Sequence, residues 1–128
     1  LKDKGLYLLH FISQLKEMET DSWMKKYIFP GGVIPSLREI VSSMGNDDFH
    51  ILDIENLRRH YEKTLLYWAD NFHNHLDKIS EMFDEKFIRM WDLYLNACAA
   101  NFHIGGIDLH QILVTKGVNN ELPLTRWY

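Results

Sequence analysis

The sequence predicts an α/β chain whose sheet is incomplete. Three observations lead there. The run Leu6 to Ile12 (LYLLHFI) is apolar almost throughout, as a strand buried on both faces is. Two long amphipathic helical patterns occupy the middle of the chain, and an extended segment comes after them. The resulting order is strand, helix, helix, strand, two long helices, strand, which gives too few strands for most doubly wound sheets. The first strand should therefore have neighbours that these residues do not supply.

Each element has a local cause. Gly5 precedes the first run, Ser13 closes it, and His10 is its one polar interruption. Thr20, Asp21 and Ser22 carry oxygens that can accept from the free amides of a short helix through Trp23, Lys25 and Tyr27, and Pro30, Gly31 and Gly32 stop it. Ser36 and Glu39 have capping-box spacing, so each side chain can take the other residue's amide. The helix they open aligns Leu37, Ile40, Val41 and Met44 and stops at Gly45. Phe49 to Leu57 is a second strand. From Arg58 to Ile79, Tyr61, Leu65, Trp68, Phe72, Leu76 and Ile79 recur at steps of three and four, predicting one long helix. Asp84 caps the next, whose stripe is Phe87, Met90, Trp91, Tyr94, Leu95, Cys98, Ala99 and Phe102, ended by Gly105 and Gly106. Ile107 to Lys116 is extended, with His110, Ile112 and Val114 on one face and Leu109, Gln111 and Leu113 on the other. Asn119, Asn120 and Pro123 interrupt any regular element beyond this strand, and the aromatic tail Trp127, Tyr128 has no assignable conformation.

With 128 residues and 46% apolar content, the chain can bury one core, so residues 1–128 are read as one domain. The residues Leu1 to Gly5 read as a turn feeding straight into an apolar run, as if the chain had been cut there. A formal net charge of −4 argues against a nucleic-acid partner. The pairs Lys25, Lys26 and Arg58, Arg59 either meet lipid headgroups or lie on solvated helix faces. The single cysteine, Cys98, cannot form an internal disulfide, which fits a reducing, cytoplasmic setting, and its place on the apolar stripe suits core packing. No apolar stretch approaches the roughly 20 residues that a membrane-spanning helix needs. His73 and His75 lie two apart on a helix and point to different faces, so no metal pair is expected. Asp70 and His73 have helical spacing and suit a surface hydrogen bond.

Four stretches then occur together and in order: GLYLLHFI (Gly5 to Ile12), YIFPGGVIPSL (Tyr27 to Leu37), HYEKTLLYW (His60 to Trp68), and YLNACAANF (Tyr94 to Phe102) leading to Ile107, Asp108 and Gln111. In this set the chain resembles the C-terminal portion of the cyclopropane-fatty-acyl-phospholipid synthase and mycolic acid cyclopropane synthase family. The resemblance implies the class I S-adenosylmethionine-dependent methyltransferase fold, a Rossmann-like sheet of mostly parallel strands. On that template Leu6 to Ile12 is the fifth strand, Phe49 to Leu57 the sixth, and Ile107 to Lys116 an antiparallel seventh inserted between them. The glycine-rich cofactor loop would lie upstream, and Gly31-Gly32 does not imitate it, because it comes after a helix and a proline. Phe11 stands where relatives often carry threonine, which bears on pocket volume.

The resemblance also implies a chemistry. The alkene of an unsaturated phospholipid acyl chain attacks the sulfonium methyl of S-adenosylmethionine, and the carbocation loses a proton to a bound bicarbonate as the ring closes. By the same likeness His10 and Tyr61 are catalytic residues that hold the bicarbonate with their imidazole N–H and hydroxyl, and the amide of Ile12 is a third donor. A cysteine and a glutamate that complete this site in the family would lie upstream. Tyr27, Phe29 and Trp68 would line the acyl chain, although core packing explains them as readily. Taken without the family, His10 reads as a satisfied core histidine and Tyr61 as a packing residue. The expected partner is an unsaturated phospholipid at the membrane surface, met from the cytoplasmic side, with the fragment alone inactive and prone to self-association through its unpaired first strand. Two other readings stay open: a related small-molecule N-methyltransferase, since plant alkaloid methyltransferases can share YIFPGG, and a non-catalytic helical interaction module.

Overall fold

The structure is a computed structural model and describes residues 1–125, with Asn46 by its backbone alone; the Trp127, Tyr128 tail lies outside the described residues. Its elements are β1 (Leu6–Ser13), α1 (Ser22–Tyr27), α2 (Leu37–Asn46), β2 (Phe49–Asn56), α3 (Arg58–His73), α4 (Leu76–Met82), α5 (Glu85–Ile104) and β3 (Asp108–Lys116). The last strand is the middle one. The order is β1-β3-β2, with β3 antiparallel to both neighbours, as the methyltransferase template requires.

Strand alternation sorts the core into two layers. On one face Ile112 and Val114, both fully buried, meet Leu9, Phe11 and the Leu37, Ile40, Val41, Met44 side of α2. On the other, Leu109 and Ile12 meet the α3–α5 pair, whose contact is built from Leu65, Ala69, Phe72, Leu95, Ala99 and Phe102. Phe102 is 0% exposed. Burying a side chain of its size stabilises by about 1.5–3 kcal/mol, which ties α5 to α3.

The caps form as the sequence implies. Asp21 accepts from the amides of Trp23 and Met24, Asp84 accepts from that of Phe87, and Gly105 closes α5 at φ 76°, a left-handed turn that costs glycine least. Ser36 and Glu39 form the reciprocal capping box. Glu17 adds to it, accepting from the Ser36 hydroxyl at 2.6 Å and from Arg38. These donors hold its carboxyl below the usual range, the serine hydrogen bond foremost. α2 runs one residue past Gly45, to Asn46, before Asp47 caps it.

Two expectations need correction. The single helix from Arg58 to Ile79 is broken at Asn74 and His75. There the His75 amide bonds the Phe72 carbonyl, a three-residue step, while the His75 ring donates from Nδ1 to the Asn71 carbonyl at 2.8 Å. The ring thus takes the acceptor that the next helical amide would have used. In addition, β1 is not buried on both faces. Leu6, Tyr7 and Leu8 are about half exposed, because β3 alone pairs with β1 and the α3–α5 pair covers the sheet only near Ile12 and Leu109. Among the described residues, no helix is long and apolar enough to cross a membrane.

Candidate active site

The carboxyl end of β1 sets the site's first residues. Leu9 and Phe11 point towards α2, so His10 and Ile12 share the opposite face. The ladder also fixes where the main-chain groups point. Lys116 exchanges hydrogen bonds with Lys4 and Gly5, whereas Leu109 gives its carbonyl to the Leu57 amide on the β2 side. Alternation then turns Leu109 away from its partner Ile12, and the Ile12 N–H faces the open edge of β1. Two residues on, that edge is taken up again, where the Gln14 amide bonds the Pro35 carbonyl at 3.0 Å. His10 is exposed, and its Nδ1 lies 3.0 Å from the side-chain Nε2 of Gln111.

Tyr61 enters from α3. Its amide bonds the Leu57 carbonyl in the first turn, and the Asn56 side chain accepts from the Arg58 amide to start the helix. The ring stands edge-on to Phe102 at 5.1 Å and to Trp68 at 6.0 Å. Phe29 is edge-on to Tyr94 at 6.1 Å, and Tyr94 leans on Trp91 at 5.0 Å. Desolvation, then the neighbouring Cys98, pushes the Tyr61 phenol above its ordinary value; desolvation pushes the Tyr94 phenol to about 12 and the Cys98 thiol to about 11. All three groups stay neutral at physiological pH. The wall they form is partly desolvated and uncharged.

The sequence-predicted residues are thus partly gathered. Tyr61 and Trp68 are in ring contact, Phe29 joins the same aromatic wall through Tyr94, and Ile12 packs on the core cluster that holds Phe102. Tyr27 turns elsewhere, to Trp23 at 5.6 Å, with the Lys26 ammonium over its ring at 5.1 Å. Three of the expected lining residues remain open to solvent: Tyr27, Phe29 and Trp68 are 41%, 52% and 49% exposed.

Sequence reasoning missed a cavity of about 510 Å³ lined by Gln14, Thr20, Trp23, Met24, Cys98 and Asn101. Cys98 is half-buried at its wall and packs against the core cluster, as its place on the apolar stripe implies. It also missed a buried tie across the sheet. His110 Nδ1 lies 2.7 Å from the Ser13 hydroxyl and its Nε2 lies 3.3 Å from the Asn56 side-chain amide, linking all three strands. Burial lowers the His110 pKa, against the opposing charge of Asp108. Arg58 donates to the carbonyls of Phe102 and His103 at the end of α5 and sits 3.7 Å from Asp108. His73 pairs with Asp92 of α5 at 2.8 Å, not with Asp70.

Comparison with known proteins places this geometry. A family model described as mycolic acid cyclopropane synthetase matches residues 1–112. The cyclopropane-fatty-acyl-phospholipid synthase of Escherichia coli strain K12 is 39% identical over 127 residues, covering 98% of this chain and 33% of that protein. The tuberculostearic acid methyltransferase UfaA1 of Mycobacterium tuberculosis is 40% identical over 106 residues, covering 80% of this chain and 25% of that protein. Among solved structures, the cyclopropane synthase MmaA2 of Mycobacterium tuberculosis superimposes with a TM-score of 0.84 at 25% identity, over 91% of this chain and 46% of that one. The mycolic acid cyclopropane synthase CmaA1 complexed with SAH and CTAB gives 0.83 at 27% identity, with the same coverage. The chain spans between a quarter and a third of the length of the curated relatives it matches.

Proposed function

This chain belongs to the mycolic acid cyclopropane synthetase family of S-adenosylmethionine-dependent lipid methyltransferases, and from that premise we propose that residues 1–128 are the C-terminal part of a catalytic domain that adds a methylene across cis double bonds of unsaturated phospholipid acyl chains. When bound, the methyl donor supplies the one-carbon unit and bicarbonate the general base. No residue here is assigned to the methyl donor: Gly31-Gly32 comes after α1 and Pro30 and does not form the strand-to-helix turn of such a site. By itself the chain is therefore inactive.

The observation that supports the reading is the pair of donors on β1, His10 and the Ile12 amide, with Tyr61 entering separately from α3. The Ile12 N–H faces the open edge, His10 lies on the same face with a neutral side-chain partner, and burial keeps the Tyr61 hydroxyl protonated. Donors of this kind suit a small anion. The residues hold that anion by donation, His10 from its imidazole, Ile12 from the main chain and Tyr61 from its phenol. The rings of Tyr61, Trp68 and Phe29, the last two about half exposed here, would become the apolar lining of the acyl chain once it covers them, and the Tyr61 face would stabilise a passing cation. Tyr27 packs on Trp23 apart from this wall and would meet the acyl chain nearer the membrane surface, where the phospholipid is met by peripheral contact on the cytoplasmic side.

The test uses a protein that carries this chain behind an upstream cofactor half, with mass spectrometry of its phospholipids as the readout. One methylene should be gained per reacted double bond, and His10→Gln or Tyr61→Phe should lower turnover by about 10²–10⁴-fold. Unchanged turnover in both variants would remove the site assignment. The isolated chain should show no calorimetric binding of S-adenosylmethionine, and tight stoichiometric binding would overturn its reading as an inactive part. It should also self-associate through the β1 edge, and a monodisperse monomer in sedimentation at high concentration would count against that contact.

A further inference from the structure

His10, Gln111 and Glu55 form one row across the sheet, each the register partner of the next on β1, β3 and β2. His10 and Gln111 are a non-hydrogen-bonded pair, because the main-chain groups of Gln111 face β2. Pairs of this kind bring side chains closest, and here Gln111 Nε2 comes within 3.0 Å of His10 Nδ1. A side-chain amide nitrogen only donates, so the ring nitrogen facing it must accept. The proton of the neutral ring then sits on Nε2.

We infer that Gln111 is a positioning residue for His10: its side-chain amide donates to Nδ1, fixes the neutral ring as the Nε2–H tautomer, and so makes His10 a donor at the nitrogen left free for an anion. This rests on the reading of His10 as an anion donor. The amide's neutrality is the second part of its role. Beyond it, Glu55 and Asp53 line a hollow of about 330 Å³ shared with Gln111, Leu8 and Leu113. A carboxylate at position 111 would bring this negative charge up to the ring and accept from Nδ1, reversing the tautomer and leaving Nε2 without its hydrogen. Nothing in the local sequence marks this pairing, since the two residues are 101 positions apart.

The experiment is long-range proton–nitrogen correlation spectroscopy of the chain labelled at histidine, at a pH where His10 is neutral, with His10→Gln used to assign its signals. The expected result is a protonated Nε2 and an unprotonated Nδ1, a mixture of tautomers in Gln111→Leu, and a protonated Nδ1 in Gln111→Glu. A protonated Nδ1 in the unmodified chain, or a tautomer ratio indifferent to Gln111→Leu, would overturn the inference. In the longer, active protein, Gln111→Glu should lower turnover about 10–100-fold, as loss of the partner that orients a functional histidine does. If His10→Gln leaves turnover intact while the tautomer behaves as described, the anion-site reading fails and the positioning role of Gln111 stands.

Discussion

How far the aromatic wall is desolvated can be measured through Cys98. Desolvation raises this thiol from an ordinary 9.0 to about 11, with the neighbouring Tyr94 hydrogen bond only partly opposing it. At pH 8 that shift reduces the thiolate from about one molecule in ten to about one in a thousand. The thiolate is the nucleophile and gains about tenfold in intrinsic reactivity as its pKa rises by about two, so a small disulfide reagent should label native Cys98 about tenfold more slowly than the urea-unfolded chain. Restricted access would also slow labelling, so the pH dependence decides between the two causes. A raised pKa makes the rate climb tenfold per pH unit beyond 9, whereas restricted access alone leaves a plateau there. Trp23→Ala provides the perturbation: Trp23 and Cys98 line the same cavity, and removing the indole admits water to the thiol. The variant's inflection should move down towards 9. A native rate equal to the unfolded rate, or a plateau near pH 9, would refute the picture of a desolvated wall around Cys98 and Tyr61.

Three further outcomes are expected from the fold. Ser36→Ala removes the cap of α2 and the hydroxyl that Glu17 accepts from, so it should cost about 1–2 kcal/mol and lower the calorimetric midpoint by several degrees; an unchanged midpoint would mean the box contributes nothing. Gly105→Ala places a side chain at φ 76° and should cost about 1–2 kcal/mol in urea unfolding, although nothing lies within 4 Å of the new carbon. His110, whose folded pKa is depressed below 6.5 by burial, favours folding fully above pH 6.5, and that contribution is lost as pH falls, because the unfolded chain then binds the proton more readily. The urea midpoint should fall on acidification below pH 6.5, and His110→Asn should flatten that slope.

What could be read from the residues depended on how far apart the causes lie. The capping box at Ser36 and Glu39, the Asp84 cap and the Gly105 stop are set within one helical turn, and all three form. The break at Asn74 and His75 is hidden because Leu76 and Ile79 continue the apolar period through it, while its cause is a ring bonding back to Asn71. The central place of β3 came from the resemblance, since alternation identifies a strand without naming its neighbours. Within the site, Tyr61 is legible as a helix-face aromatic, but periodicity does not say which stripe residues face a cavity, and so Tyr94 and Cys98 read as packing alone. The partners of His10 and His110 required the register of three strands.

The position of β3 also orders events in time. Both flanking strands come before it in the chain, and among the described residues β3 is the strand that pairs with each of them. Within residues 1–125, neither ladder to β3 can close until that strand is made. When β3 arrives, β2 is nearer along the chain than β1 by nearly a factor of two, which favours closure of β2 onto β3 by only about 0.5 kcal/mol. Both closures span long separations, so sheet formation should be the slow phase of folding, coming after a fast helical one.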